Sequence, residues 1–76
     1  MTLTEAQQEM IERAVDRMIA FFDNPKAVGV RFKTSISGGC RGRPLLEITA
    51  AIGSGQPQWW GYGAQHARAY YEKRMG

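Results

Sequence analysis

The chain has 76 residues, of which 43% are hydrophobic and eight are aromatic, and a formal net charge of +3. This length predicts one domain, residues 1–76, and no apolar stretch approaches the ~18 residues of a membrane span or follows the pattern of a signal peptide. One cysteine and one histidine exclude an internal disulfide, and a zinc site would need carboxylates or a second subunit. We therefore expect a cytoplasmic domain without membrane, metal or cofactor.

The first predicted element is an amphipathic helix that starts after Thr4 and ends at Asp23. Thr4 and Gln7 form a capping-box pattern, in which each side chain accepts the backbone N–H of the other residue. Pro25 marks the end, because proline disfavours helical geometry in the residue before it. The apolar stripe of this helix follows helical spacing and consists of Ile11, Val15, Met18 and Phe22.

A β-hairpin over residues 28–52 follows, folded over a turn rich in glycine and arginine at residues 38–44, which we call the hairpin tip. Alternation of apolar and polar residues predicts antiparallel strands with one buried and one solvated face. Pairing Ile36 with Leu46 keeps the apolar residues together, and a shift by one residue would bury two cations, so this register should be firm. The predicted buried face carries Val30, Phe32, Thr34, Ile36, Leu46, Ile48, Ala50 and Ile52.

Residues 58–62 predict a short third strand and residues 64–75 a second helix. Adjacent residues of a strand point to opposite faces, so one of Trp59 and Trp60 belongs to the core and the other is exposed or covered elsewhere. The resulting order, α-β-β-β-α, predicts an α+β domain with two helices on one face of a three-stranded antiparallel sheet.

Charge is distributed unevenly along the chain. Up to Asp23 there are five acidic and two basic residues, and from Lys26 onward eight basic and two acidic ones. Such asymmetry suggests an anionic partner, although small domains also carry charge offsets for solubility alone. The candidate partner- or phosphate-binding residues are Arg31, Lys33, Arg41, Arg43 and Arg68.

Three aromatic residues, Trp59, Trp60 and Tyr62, are candidate contacts. They would stack on unpaired bases or serve as core and interface residues. Cys40 is a candidate reactive thiol, because its arginine neighbours favour the thiolate. As a nucleophile, Cys40 would need a base, and His66 is the one histidine in the sequence. No third residue that would orient His66 is identifiable, so we expect that the protein is not an enzyme.

The segment Gly29-Val30-Arg31-Phe32, followed by Gly39-Cys40-Arg41-Gly42 and Leu46-Glu47, resembles the core of A-type iron–sulfur carrier proteins. That family has a G-[LV]-R segment before G-C-S-G and a later L-E, and its first cysteine ligates iron together with a C-terminal Cys-x-Cys. Here Arg41 replaces the serine, each spacing differs by one residue and the Cys-x-Cys is absent. Only Cys40 corresponds to a ligand, so cluster binding is not implied.

The element order and the basic second half are similar to double-stranded RNA-binding domains. That family grips phosphates with a Lys-Lys-x-Ala-Lys run that opens its last helix. This chain has Gln65-His66-Ala67-Arg68-Ala69 at the corresponding place. The resemblance therefore bears on architecture more than on function.

Three functional hypotheses follow. The first is a small non-enzymatic module that docks on a partner protein or nucleoprotein complex through the basic hairpin tip and the aromatic strand, since aromatic residues and arginine dominate interfaces. One version is a phage or mobile-element inhibitor of a bacterial defence complex, of the anti-CRISPR type. The alternative is a module that binds RNA or DNA directly. A third is a homodimer formed through the edge strand at residues 59–62.

Overall fold

The computed structural model describes residues 2–53 and 56–76, except for the side chain of Cys40. It contains two helices and one three-stranded antiparallel sheet in the predicted order. No helix in these two ranges is long and apolar enough to cross a membrane. The elements are α1 (Glu5–Phe22), β1 (Arg31–Ile36), β2 (Leu46–Ala51), β3 (Gln58–Trp60) and α2 (Ala64–Met75).

Helix α1 begins and ends where the sequence predicts. The Thr4 hydroxyl accepts the backbone N–H of Gln7 at 3.1 Å, and the Gln7 side chain accepts that of Thr4 at 3.0 Å, which completes the capping box. After the helix, the Asn24 side chain accepts the N–H of Lys26 at 3.0 Å and opens a 3₁₀ turn that begins at Pro25.

The hairpin has the predicted register. Ile36 lies opposite Leu46, and Phe32 lies opposite Ala50. Strand β2 is central, with β1 on one side and β3 on the other. The side chains of β2 are buried at every second position, beginning with Leu46, so one face of the sheet forms the core and the other faces outward.

Strand β3 ends at Trp60, two residues earlier than predicted. Gly61 has a φ of +102°, which turns the chain away from the sheet. The N–H of Gly63 then donates to the carbonyl of Leu45, and a Cβ at Gly63 would collide with the side chain of Ile11. The glycines around Tyr62 therefore let the start of α2 approach both β2 and α1.

Both helices cover the same face of the sheet. The core consists of Ile11, Ala14, Val15, Met18, Leu45, Leu46, Ile48, Ala50 and Ala67. Leu45, which is 1% exposed, was not predicted as core because it precedes the alternating run of β2.

The prediction that Val30 is buried is wrong, since it is 44% exposed. Val30 precedes β1 and lies outside the cluster in which the rings of Phe21 and Phe22 contact Phe32. Within β1, the residues that point toward the core are only half-buried, because β1 is an edge strand that α1 covers in part. Ile52 is half-buried as well.

Candidate docking surface

The face of the sheet opposite the helices carries a shallow hollow of about 330 Å³. Its lining comes from all three strands and consists of Arg31, Lys33, Glu47, Thr49 and Trp60. These side chains share one face because residues two apart on a strand point the same way. We call the face of the sheet opposite the helices the outer face. No described element packs over it.

Strand alternation separates the two adjacent tryptophans. Trp59 lies opposite the buried Ile48, and its ring centroid is 5.4 Å from that of Tyr71 in α2. Trp60 lies opposite Glu47 and is 45% exposed. Trp59 is therefore the core residue of the pair, and Trp60 is the aromatic group that the outer face presents.

Trp60 also borders two further hollows. One, of about 510 Å³, lies toward the hairpin base and is lined by Arg43, Pro44, Trp60, Gly61 and Tyr62. The other, of about 480 Å³, lies toward α2 and is lined by Gln58, Trp59, Trp60, Ala64, Gln65 and Arg68. The indole thus stands where three hollows meet, and an arginine lines each of them.

Positive charge exceeds negative charge on the outer face and the hairpin tip. Among the described residues, none of the ion pairs involves Arg31, Lys33, Arg41 or Arg43. By strand alternation, the one acidic residue on this described surface is Glu47. Unpaired cations gathered on one surface attract anions and accelerate their association.

The helices present a different surface, because three of their five cations, Arg13, Arg68 and Arg74, have carboxylate partners. Arg68 donates to Glu72 at 3.1 Å, and Arg74 lies 3.1 Å from Asp16. Arg68, although it lines a hollow beside Trp60, is therefore less available to an anion than the cations of β1.

Three polar side-chain contacts between described residues join α1 to α2, one of which is the Arg74–Asp16 ion pair. His66 Nε2 lies 3.1 Å from Glu12 Oε2, and the Tyr70 hydroxyl donates to Asp16 at 2.9 Å. The hydrogen bond to Asp16 raises the pKa of Tyr70 above 10.0, because ionisation of the phenol would remove the donor and place two anions side by side. These contacts hold the helices together on the side away from the outer face.

The hairpin tip has a tightly constrained backbone. Arg41 has a φ of 56° and a ψ of 40°, in the left-handed region that favours glycine. A Cβ at Gly39 would collide with the carbonyl of Arg43. The N–H of Leu45 donates to the carbonyl of Ile36 at 2.8 Å and closes the base of the loop.

The prediction that Cys40 is a reactive thiol concerns a side chain outside the described part of the structure. Within the described residues, no group of three or more histidine, cysteine, aspartate or glutamate side chains is placed to hold a metal ion.

The structure brings some of the predicted site residues together and separates others. Arg31 and Lys33 share a hollow with Trp60, and Arg43 shares another with Trp60 and Tyr62. Trp59 lies mainly on the other face. Sequence reasoning missed Thr49 and Gln58 as lining residues, although the alternation that places Trp60 outward also places them there.

The chain matches no protein-family model, and comparison with curated proteins and with solved structures found no significant match. Neither resemblance noted in the sequence gains support from these comparisons. Function is therefore inferred from the outer face and the hairpin tip.

Proposed function

We propose that this protein is a small non-enzymatic binding module that docks on a partner protein or nucleoprotein complex through the outer face and the hairpin tip. The observation that carries the proposal is Trp60, an exposed indole that borders three hollows. Tryptophan and arginine are the residues that most often dominate binding energy when a partner covers them.

The charge of the surface indicates the charge of the partner. Arg31, Lys33, Arg41 and Arg43 have no carboxylate partner among the described residues. Complementary potentials steer a partner to the correct face and suppress partners of the same sign. The surface that binds here is therefore anionic.

A binding role is favoured over catalysis by the position of the one histidine in the sequence. His66 Nε2 contacts Glu12 between the two helices, rather than a hollow beside Trp60. Among the described residues, Glu47 is the one carboxylate that lines the hollows beside Trp60, and no histidine or second carboxylate lies there with it to form an acid–base pair.

Inhibition of a bacterial defence complex, of the anti-CRISPR type, is a specific form of this proposal. Its support is a cationic face suited to a nucleoprotein machine. The test is the plating efficiency of a sensitive phage on cells with an active defence complex. Parent chain should restore plaques and Trp60→Ala should not; equal plating with and without the parent chain would reject this form.

The general proposal is tested by affinity capture from a lysate, with and without nuclease treatment, with purified chain variants compared side by side. Trp60→Ala and the double variant Arg31→Ala/Lys33→Ala should each lose the partner that the parent retains. The matched control is Arg17→Ala/Lys73→Ala, which removes the same charge from two exposed helix positions without ion pairs. Retention of the same partner by all variants would contradict the proposal.

A further inference from the structure

We infer that the anionic group bound by the outer face is single-stranded nucleic acid, with a base stacked on Trp60 and phosphates near Arg31, Lys33 and Arg43. This inference rests on the proposed function and names the chemistry of the partner at the same surface. The partner is then either free single strand or the single strand carried by a nucleoprotein complex.

The composition of the outer face favours nucleic acid over an acidic protein as its partner. The core of a protein interface is apolar and depleted in charge. Here the hollow on the outer face combines one indole with two cations, one carboxylate and one hydroxyl, and has no aliphatic residue. Protein–nucleic acid interfaces are more polar and much more positively charged than protein interfaces, which is the composition observed.

The placement of the ring relative to the cations fits a stacked base. Trp60 borders the hollow of Arg31 and Lys33 and also the hollow of Arg43. Arg31 and Lys33 are two residues apart on β1, about 6.7 Å along the strand. A nucleotide stacked on the indole therefore has cations in both of these hollows, which is the combination of stacking and backbone attraction used by single-strand binders.

A duplex fits this surface less well, because a base must be unpaired to stack on an aromatic side chain. Nor do the helices offer a second phosphate-binding surface. Arg68 and Arg74 are paired with Glu72 and Asp16. The two helix cations without ion pairs in the described part of the chain, Arg17 and Lys73, line none of the hollows beside Trp60. Single strand is therefore the form of nucleic acid that this protein recognises.

The experiment is a titration of the full chain with fluorescein-labelled oligothymidylate, oligouridylate and a DNA duplex at several salt concentrations, read by anisotropy, with polyglutamate as a competitor. Binding should be salt-dependent, and Trp60→Ala should weaken it about tenfold or more. Trp60→Phe keeps a ring and should recover part of the affinity. Arg31→Ala/Lys33→Ala should reduce the slope of log affinity against log salt by about 1.4, roughly 0.7 for each lost phosphate contact.

A second readout reports stacking itself. Oligothymidylate should quench tryptophan fluorescence in the parent and much less in Trp60→Phe, in which Trp59 is the only indole left. Arg17→Ala/Lys73→Ala should keep both the salt slope and the quenching. Circular dichroism of each variant establishes that it is folded.

Several outcomes would overturn the inference: no salt-dependent binding to either oligonucleotide, unchanged affinity in Trp60→Ala, tighter binding to duplex, or displacement of oligothymidylate by polyglutamate at equal charge concentration. If any one of these outcomes is found, and a protein partner is still captured in a Trp60-dependent manner after nuclease treatment, the inference fails and the proposed function stands. If no Trp60-dependent binding of any kind is found, both fail.

Discussion

The centroid of the Trp59 ring lies 5.4 Å from that of Tyr71, with the two ring planes inclined by 58°. This contact joins the edge strand β3 to α2. Because neighbouring residues of a strand point to opposite faces, it also directs Trp60 to the outer face. Trp59 therefore anchors α2, and as a consequence its neighbour Trp60 is exposed on the outer face.

The two tryptophans should respond differently to truncation. Trp59→Ala is expected to lower the free energy of unfolding by about 2–4 kcal/mol, because it leaves a cavity between β3 and α2. Trp60→Ala is expected to change it by less than about 1 kcal/mol, because Trp60 is 45% exposed and lies outside the core. Urea denaturation followed by circular dichroism measures both. Equal losses for the two variants would show that Trp60 is also a structural residue.

Much of the fold follows from local patterns in the sequence. The capping box at Thr4 and the proline at position 25 set the limits of α1, and alternation set the hairpin register. Register was predictable because a slip of one residue would have moved Arg31 and Lys33 into the core. Leu45 was not predictable in this way, because its burial depends on distant residues such as Ile11 and Gly63.

The candidate site was predictable as a set of residues but not as an arrangement. Alternation states that Trp59 and Trp60 face opposite ways and leaves open which one is inside. That choice depends on where α2 packs, and hence on Tyr71. The meeting of Trp60 with Arg31 and Lys33 depends on strand order, since β3 pairs with β2 and β1 lies on the far side.

Gly63 should be intolerant of a side chain. Gly63→Ala places a Cβ against the terminal methyl of Ile11 and close to the Leu45 carbonyl, and is expected to cost about 1–3 kcal/mol. Ile11→Val removes that methyl, so the cost of Gly63→Ala should be smaller in the Ile11→Val background. A double-mutant cycle by urea denaturation measures this coupling. Strict additivity would contradict the contact.

Arg41 holds a left-handed backbone conformation that costs a non-glycine residue about 1–2 kcal/mol. Arg41→Gly should therefore stabilise the fold by roughly 0.5–1 kcal/mol, after allowance for the larger unfolded-state entropy of glycine. Arg43→Gly is the matched control, because it removes the same charge at a residue without positive φ, and it should not stabilise. Thermal unfolding compares them. A destabilised Arg41→Gly would contradict the prediction.

The bond from Tyr70 to Asp16 predicts a change in stability at alkaline pH. The raised pKa of Tyr70 means that the folded state keeps its phenolic proton after the unfolded chain has lost it. Stability from this bond is thus complete below pH 10.0 and is lost as pH rises through the folded-state pKa. Nearby Arg74 opposes the shift.

Tyrosine ionisation followed by NMR tests this directly. Asp16→Asn should move the pKa of Tyr70 back toward 10.0, because it removes the negative charge and leaves only a weaker, neutral acceptor. Tyr70→Phe should make stability less sensitive to alkaline pH. A Tyr70 titration unchanged by Asp16→Asn would contradict the assignment.

Arg31 and Lys33 should also keep β1 from pairing with other chains. β1 is an edge strand with both side chains exposed, and charge on an edge strand discourages sheet extension between molecules. Arg31→Thr/Lys33→Thr should keep strand propensity and increase self-association relative to the parent, measured by light scattering over a concentration series. The control Arg17→Thr/Lys73→Thr removes equal charge from the helices and should leave association unchanged. If both variants associate equally, net charge and not the edge of β1 controls solubility; if neither does, the two cations are free to serve binding alone.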